Sequence, residues 1–181
     1  MRLVLTDRDG VLNEDRPGGV RHPDELRLLA GAANALRRLN QAGIPVALVT
    51  NQSAVGRGLL SPAGLQAIQE RLVAELAGAG ARLDLILIAP DHPERAGPRR
   101  KPGPGMLLEA LAHFHVAPEE AVMVGDDLRD LEAAQAARCR RILVRTGKGA
   151  ALAAAGIPEA LQPVGVCADF AAAVDSLLRP D

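Results

Sequence analysis

The chain has 181 residues, 48% of them hydrophobic and 24% charged, and a net charge of -1. That is enough for one sizeable core, and the near-neutral balance argues against nucleic acid or an anionic membrane surface as a partner. With no Trp, no Tyr and only Phe114 and Phe170, base stacking lacks its usual platform, so the core must be built from Leu, Val, Ile and Ala.

Leu3-Val4-Leu5 is an apolar run without polar alternation, as a strand buried on both faces requires. It leads to Asp7 and Asp9, one residue apart, and then to Gly10. In open parallel sheets ligands bind beyond the carboxyl ends of the strands, so chemistry is expected here. Two close carboxylates repel each other unless a cation lies between them, and a hard divalent ion such as Mg²⁺ suits oxygen ligands. One carboxylate can then be a nucleophile and its neighbour a general acid or base. Asp and Gly are also ordinary turn residues, so this stretch by itself leaves both readings open.

The connection from Gly10 to Leu29 is longer than the usual βα loop, and its Arg16-Pro17-Gly18-Gly19-Val20 segment is placed to lean over the acids. A helix is expected over Gly31 to Gly43, with Ala35, Leu36 and Leu39 on one face. Ile44 to Val49 reads as a second strand, ending in Thr50-Asn51-Gln52-Ser53, whose hydroxyls and amides suit phosphate or simply a turn. Arg57 follows between two glycines and fits bidentate phosphate recognition or a solvated loop. Ser61-Pro62 opens a helix whose apolar face is Leu65, Ile68, Leu72, Val73 and Leu76.

Leu83 to Ile88 is the third strand. A Pro- and Gly-rich excursion, Ala89 to Gly105, then delivers Arg100 and Lys101 to a helix over Met106 to His115. Ala121 to Val124 is the fourth strand, ending Gly125-Asp126-Asp127-Leu128-Arg129-Asp130. This second acidic cluster at a second strand end turns the balance toward chemistry. Asp130 reads as a helix N-terminal acid favoured by the macrodipole. Arg141 to Val144 is the fifth strand, Arg145 to Gly149 a loop, Val164 to Cys167 the last strand, and Asp169 to Leu178 the last helix. His113 and His115 read as surface or packing residues of their helix. The alternation, with no repeat and no linker, predicts a single doubly wound, Rossmann-like α/β domain over 1–181 with a mostly parallel sheet.

Asp-x-Asp, Thr50, Lys101 and Asp126-Asp127, in that order on four strand ends, closely resemble the motifs of the haloacid dehalogenase (HAD) superfamily of aspartate-nucleophile phosphatases. Asp7 to Asn13, Val49 to Ser53 with Arg57-Gly58, Arg100 to Met106 and Val144 to Lys148 resemble one branch of it, the phosphatases of D-glycero-D-manno-heptose 1,7-bisphosphate and of histidinol phosphate. The resemblance spans about residues 1–150. It implies a Mg²⁺-dependent phosphoric monoester hydrolase without a separate cap domain, acting on a small sugar or polyol phosphate. Asp7 would be the nucleophile and Asp9 the general acid and base. Mg²⁺ would be held by Asp7, Asp9 (through its backbone carbonyl) and Asp126. Thr50 and Lys101 would grip the phosphoryl oxygens, and Asp127 would support Lys101 or metal waters. Asn51, Gln52, Ser53, Arg57 and Arg100 would recognise substrate.

The branch usually carries a structural zinc in the loop after the third strand, a loop that also helps shape its substrate pocket. The corresponding positions here look like Ala89, Asp91, Gly97 and Arg99, and the loop has no cysteine. His92 alone cannot make a tetrahedral site, so no zinc is expected. A phospho-receiver domain would carry its phosphoacceptor at the third strand end, which here reads Ile88-Ala89-Pro90. A disabled, non-catalytic phosphate-binding module has no support, because every chemical position is filled. No apolar run approaches the roughly 18 residues of a membrane span. Met1-Arg2-Leu3 does not read as a signal peptide, and Cys139 and Cys167 form neither a metal-like pair nor a disulfide framework. A cytoplasmic monomer is expected.

Overall fold

In the computed structural model, which describes residues 1–179, β1 (Leu3–Thr6) lies inside a six-stranded sheet with all four side chains buried. Its neighbours are β2 (Val46–Asn51) and β4 (Ala121–Gly125). β3 (Leu85–Ala89) lies outside β2, and β5 (Arg140–Val144) and β6 (Gly165–Cys167) lie outside β4. The order is β3-β2-β1-β4-β5-β6 and every pairing is parallel. The direction of winding therefore reverses at β1, and the crevice between the ends of β1 and β4 is the switch point where such sheets bind ligands.

Successive side chains of a strand point to opposite faces, and the two cores follow that rule. Val4, Leu48 and Val122 pack with α1 (Ala32–Gln41), α3 (Pro62–Gly78) and α7 (Phe170–Leu178), through residues such as Leu36, Ile68, Leu72 and Phe170. Leu3, Leu5, Val49 and Met123 pack with α4 (Gly105–Phe114) and α5 (Leu128–Ala136), through Met106, Leu107, Ala110 and Ala133. Ser61 caps α3, its hydroxyl accepting the Gly64 N–H at 3.0 Å, with Pro62 at the first helical position.

Several boundaries move. β2 runs on through Thr50 and Asn51 because Ile88 and Ala89 of β3 supply ladder partners for them. β3 starts only at Leu85, since the Asp84 carboxylate accepts the Val46 N–H at 2.9 Å and closes the sheet end there. Val73 is 44% exposed, one residue off the Leu72 stripe, and does not belong to the buried face. α5 begins at Leu128, directly after the Asp126-Asp127 pair. Two helices had no amphipathic signal: the single turn α2 (Ser53–Gly56) and the alanine-rich α6 (Gly149–Ala155), which buries only its first residue. His115 ends α4 in the left-handed conformation at φ 53°. No helix among the described residues is long and apolar enough to cross a membrane.

Candidate active site

The carboxyl ends of β1, β2 and β4 open into a cavity of about 490 Å³. Its floor holds Asp7, Asp9, Lys101, Asp126 and Asp130, the last three of them buried, and its rim carries the exposed Arg16, Arg57 and Lys148 and the half-buried Arg129. The Asp7 N–H continues the sheet by donating to the Val124 carbonyl at 3.1 Å, which aligns Asp7 with the end of β4. Asp7 Oδ1 accepts the Arg8 backbone N–H at 2.7 Å and faces Lys101 Nζ at 3.1 Å. Oδ2 of Asp7 takes no hydrogen bond from the described residues. Burial raises the Asp7 carboxyl to about 6; the neighbouring Asp130 and Asp9 charges add to this, and Lys101 opposes it.

Asp126 lies beside Asp7 at the end of β4. Burial is again the main cause that pushes its carboxyl up, to about 8, against the pull of the Lys148 backbone N–H, which donates to Oδ2 at 2.8 Å. Two glycines make room for this carboxylate. Gly10 and Gly147 have φ of 81° and 54°, and a Cβ on either would collide with the Asp126 carboxylate. The Thr146 hydroxyl ties their two loops together by donating to the Gly10 carbonyl at 2.5 Å.

Carboxylate oxygens of Asp7, Asp126 and Asp130 lie within 4.8 Å of one another. Hard oxygen donors crowded together in this way, with burial raising the Asp7 and Asp126 carboxyls, fit a divalent cation such as magnesium. The three are not equivalent. Asp130 Oδ2 already accepts the backbone N–H groups of Asp126 and Asp127 at 3.1 Å each, and Oδ1 pairs with Lys101 Nζ at 2.7 Å. Asp7 and Asp126 each keep an oxygen without such a partner, so they are the fitting ligands. The Asp9 carbonyl, which accepts no hydrogen bond from the described residues, is also open.

Lys101 is 1% exposed. Burial would drive its ammonium toward neutrality, but Asp130 and Asp7 outweigh this and raise its pKa, so it stays charged. Its backbone is clasped by one side chain: Asn51 Nδ2 donates to the Lys101 carbonyl at 2.9 Å, and Asn51 Oδ1 accepts the Lys101 N–H at 3.0 Å. Asp9 is also fixed. Its carboxylate accepts from Arg8 Nη2 at 3.0 and 3.2 Å, from Asn13 Nδ2 at 2.8 Å and from Gln52 Nε2 at 2.8 Å. Burial alone would raise its pKa, but Arg8, Asn13 and Gln52 together lower it.

The chain is 42% identical to the D-glycero-beta-D-manno-heptose-1,7-bisphosphate 7-phosphatase of Bordetella bronchiseptica, over 99% of both chains. It is 38% identical to the enzyme of that name from Pseudomonas aeruginosa, over 98% of both. The chain belongs to the haloacid dehalogenase family of phosphatases. The HAD-hydrolase-like family model matches residues 98–173. The crystal structure of the D,D-heptose 1,7-bisphosphate phosphatase from B. bronchiseptica, complexed with magnesium and phosphate, superposes with a TM-score of 0.92 at 41% identity, covering 98% of each chain. As a HAD phosphatase, the protein is a phosphoric monoester hydrolase.

The cavity brings together Asp7, Asp9, Asn51, Gln52, Ser53, Arg57, Arg100, Lys101, Asp126 and Asp127. Thr50 does not line it: the residue is 1% exposed, with its hydroxyl accepting from Gln52 Nε2 at 3.0 Å. Asn51 and Gln52 were expected to meet substrate, yet both amides are engaged inside the protein. Asp127 does not support Lys101. It caps α5 and pairs with Arg129 at 2.7 Å and Lys148 at 3.4 Å, and their hydrogen bonds and charges hold its carboxyl well below the usual carboxylate range despite burial. The residue that supports Lys101 is Asp130, which the sequence reading gave only a capping role.

The Arg16–Gly19 segment does reach the cavity, as expected of the long β1–α1 connection. Of the excursion after β3, only Arg100 and Lys101 line it. The excursion is fixed at its start by the Gly56 N–H, which donates to the Pro90 carbonyl at 2.9 Å. The contact is so close that a Cβ at Gly56 would strike the backbone of Pro90, Asp91 and His92. Arg8, Asn13, Gln69 and Lys148 were not anticipated as site residues. Gln69 did leave a signal, a polar residue inside the Leu65–Ile68–Leu72 stripe.

Proposed function

We propose that this chain is a magnesium-dependent sugar bisphosphatase of the heptose 1,7-bisphosphate type, releasing the 7-phosphate through an aspartyl-phosphate on Asp7. The observation that carries the reading is the joining, in one cavity, of the Asp7–Lys101 centre and a cluster of arginines. Arg100 is depressed from its ordinary pKa by burial and by the nearby Arg129 and Arg57 guanidiniums. Like charges held together this way favour an anion between them, as a second phosphate would provide. Histidinol phosphate would bring a cationic amine instead.

Asp7 and Asp126, with the Asp9 carbonyl, would hold the magnesium, which when bound offsets charge between nucleophile and phosphate. One carboxylate oxygen of Asp7 attacks phosphorus as the bond to the sugar oxygen breaks. Asp9 gives its proton to that oxygen; the incoming phosphate's negative charge favours the protonated carboxyl and opposes Arg8. Asp9 then takes a proton from water, whose oxygen attacks the aspartyl-phosphate and frees Asp7. Lys101 holds the phosphoryl oxygens through both steps and offsets their charge. The Thr50 hydroxyl, buried outside the cavity, serves by accepting from the Gln52 amide that holds Asp9. Asn51 and Gln52 serve by fixing Lys101 and Asp9, and Arg57 and Arg100 meet the second phosphate. The reading carries with it a single-domain monomer in a reducing cytoplasm, consistent with free Cys139 and Cys167.

Phosphorus NMR on heptose 1,7-bisphosphate with magnesium is expected to show inorganic phosphate and heptose 1-phosphate, and chelator is expected to stop the reaction. Equal turnover of heptose 7-phosphate and the bisphosphate would remove the second-phosphate argument. Preference for histidinol phosphate would overturn the substrate.

A further inference from the structure

Arg8 is the largest fully buried side chain of the protein, at 0% exposure, and it lines no part of the cavity. It cannot touch substrate. Its guanidinium instead joins three side chains. Nη2 donates to both Asp9 oxygens and to Gln52 Oε1 at 2.9 Å, and Nη1 donates to Gln69 Oε1 at 2.9 Å. Gln69 belongs to α3, 7% exposed and likewise outside the cavity. A chain of contacts therefore runs from the acid/base carboxylate through Arg8 to a helix packed on one face of the sheet.

Stability does not account for this arrangement. A buried ion pair is often no more stabilising than apolar residues of the same volume. This one leaves Arg8 Nε and Gln69 Nε2 without partners, and each such orphan costs free energy. What the arrangement does supply is direction. One guanidinium nitrogen, Nη2, spans both carboxylate oxygens, while the Asn13 amide holds Oδ1 and the Gln52 amide holds Oδ2. A general acid works only when aimed at the oxygen it protonates, and a displacement of about 1 Å can cost about 100-fold.

We propose that Arg8 is a positioning residue that aims Asp9 at the leaving-group oxygen, and that Gln69 of α3 anchors it. The proposal rests on the role given to Asp9 above, and the test separates the two. The measured quantity is kcat and KM with magnesium for p-nitrophenyl phosphate, whose leaving group needs little protonation, and for an alkyl phosphate, whose leaving group needs it fully. Asp9→Asn, as reference, is expected to lose far more on the alkyl ester. Arg8→Met is expected to follow it, with a loss in kcat of about 100-fold on the alkyl ester, the low end of general-acid effects. Its loss on the aryl ester is expected to be several-fold only, and its KM to stay near the parent's. Arg8→Lys is expected to recover part of the loss, and Arg8→Met in the Asp9→Asn background to add nothing.

An equal loss on both esters in Arg8→Met, with Asp9→Asn selective, would mean a merely structural arginine and would overturn the proposal. If Asp9→Asn itself showed no selectivity, the acid/base assignment would fail and the proposal with it. Should Arg8→Met not fold, Gln69→Leu decides. A selective loss in the same direction is expected, and parent-like kinetics on both esters would overturn the inference.

Discussion

The Lys101–Asp130 pair offers a quantitative test of how the site is held. Both side chains are about 1% exposed, and their charged atoms are 2.7 Å apart. Removing one partner of a buried pair typically costs about 3–5 kcal/mol, because the other charge is left uncompensated. Asp130→Asn keeps the shape, and Lys101 retains Asp7 at 3.1 Å, so the low end, about 3 kcal/mol, is expected. For a chain of this size each kcal/mol moves Tm by roughly 2–4 °C, giving a fall of about 6–12 °C. Lys101→Met leaves Asp7 and Asp130 facing each other without a counter-charge and should cost at least as much. Lys101→Met/Asp130→Asn removes both members and is expected to be more stable than the sum of the single losses predicts, by about 1–3 kcal/mol. Activity should not follow. Without Lys101 the phosphoryl oxygens lose their charged donor, and kcat should fall by about 10²–10³ in both Lys101 variants. Thermal unfolding by circular dichroism in chelator, beside phosphate release with magnesium, reads both quantities. Single losses that add to within about 0.5 kcal/mol would refute the coupling, and recovered turnover in the double variant would refute the role of Lys101.

Asn51→Ala frees the Lys101 backbone while leaving its ammonium, so kcat should drop about 10–100-fold with a smaller change in KM, measured by steady-state kinetics. Gly147→Ala would push a methyl group into Asp126, and magnesium affinity followed by calorimetry should weaken by about 10-fold or more. Asp7→Asn should abolish turnover. By removing one of several mutually repelling acids it should also raise the Tm of the metal-free protein at pH 8. In the metal-free protein Asp7 and Asp126 titrate near 6 and 8 when folded, above the ordinary carboxylate value, so stability should fall as pH rises from about 4 to about 8. Magnesium competes with those protons, so its affinity, read by titration at fixed ionic strength, should rise over the same range and level off above pH 8.

The strand ends were legible because chemistry and periodicity coincide there: an apolar run stops, and acids or amides follow. The positions of Asp7, Asp9 and Asp126 in the cavity floor came straight from that pattern. Asp130 was misjudged because an acid in the first turn of a helix and an acid paired with a distant lysine look alike until the Lys101 loop is folded against it. Arg8 was passed over because a charged residue beside a turn is ordinarily solvated. Asn51 and Gln52 were given to the substrate because nothing local shows that an amide at a strand end is already engaged by the protein. The α6 helix was invisible because alanines carry helix propensity but no face.

The excursion after β3 is clamped at its entrance and at its exit, and between them it stands apart from the cavity. At its entrance the fastening is main chain against main chain, Gly56 on Pro90; at its exit the Asn51 amide holds the Lys101 peptide. Neither fastening reads the side chains of residues 91–99. That segment is thus an interchangeable cassette between two fixed clamps. Substitutions inside it are expected to leave the lysine at its end presented at the same point.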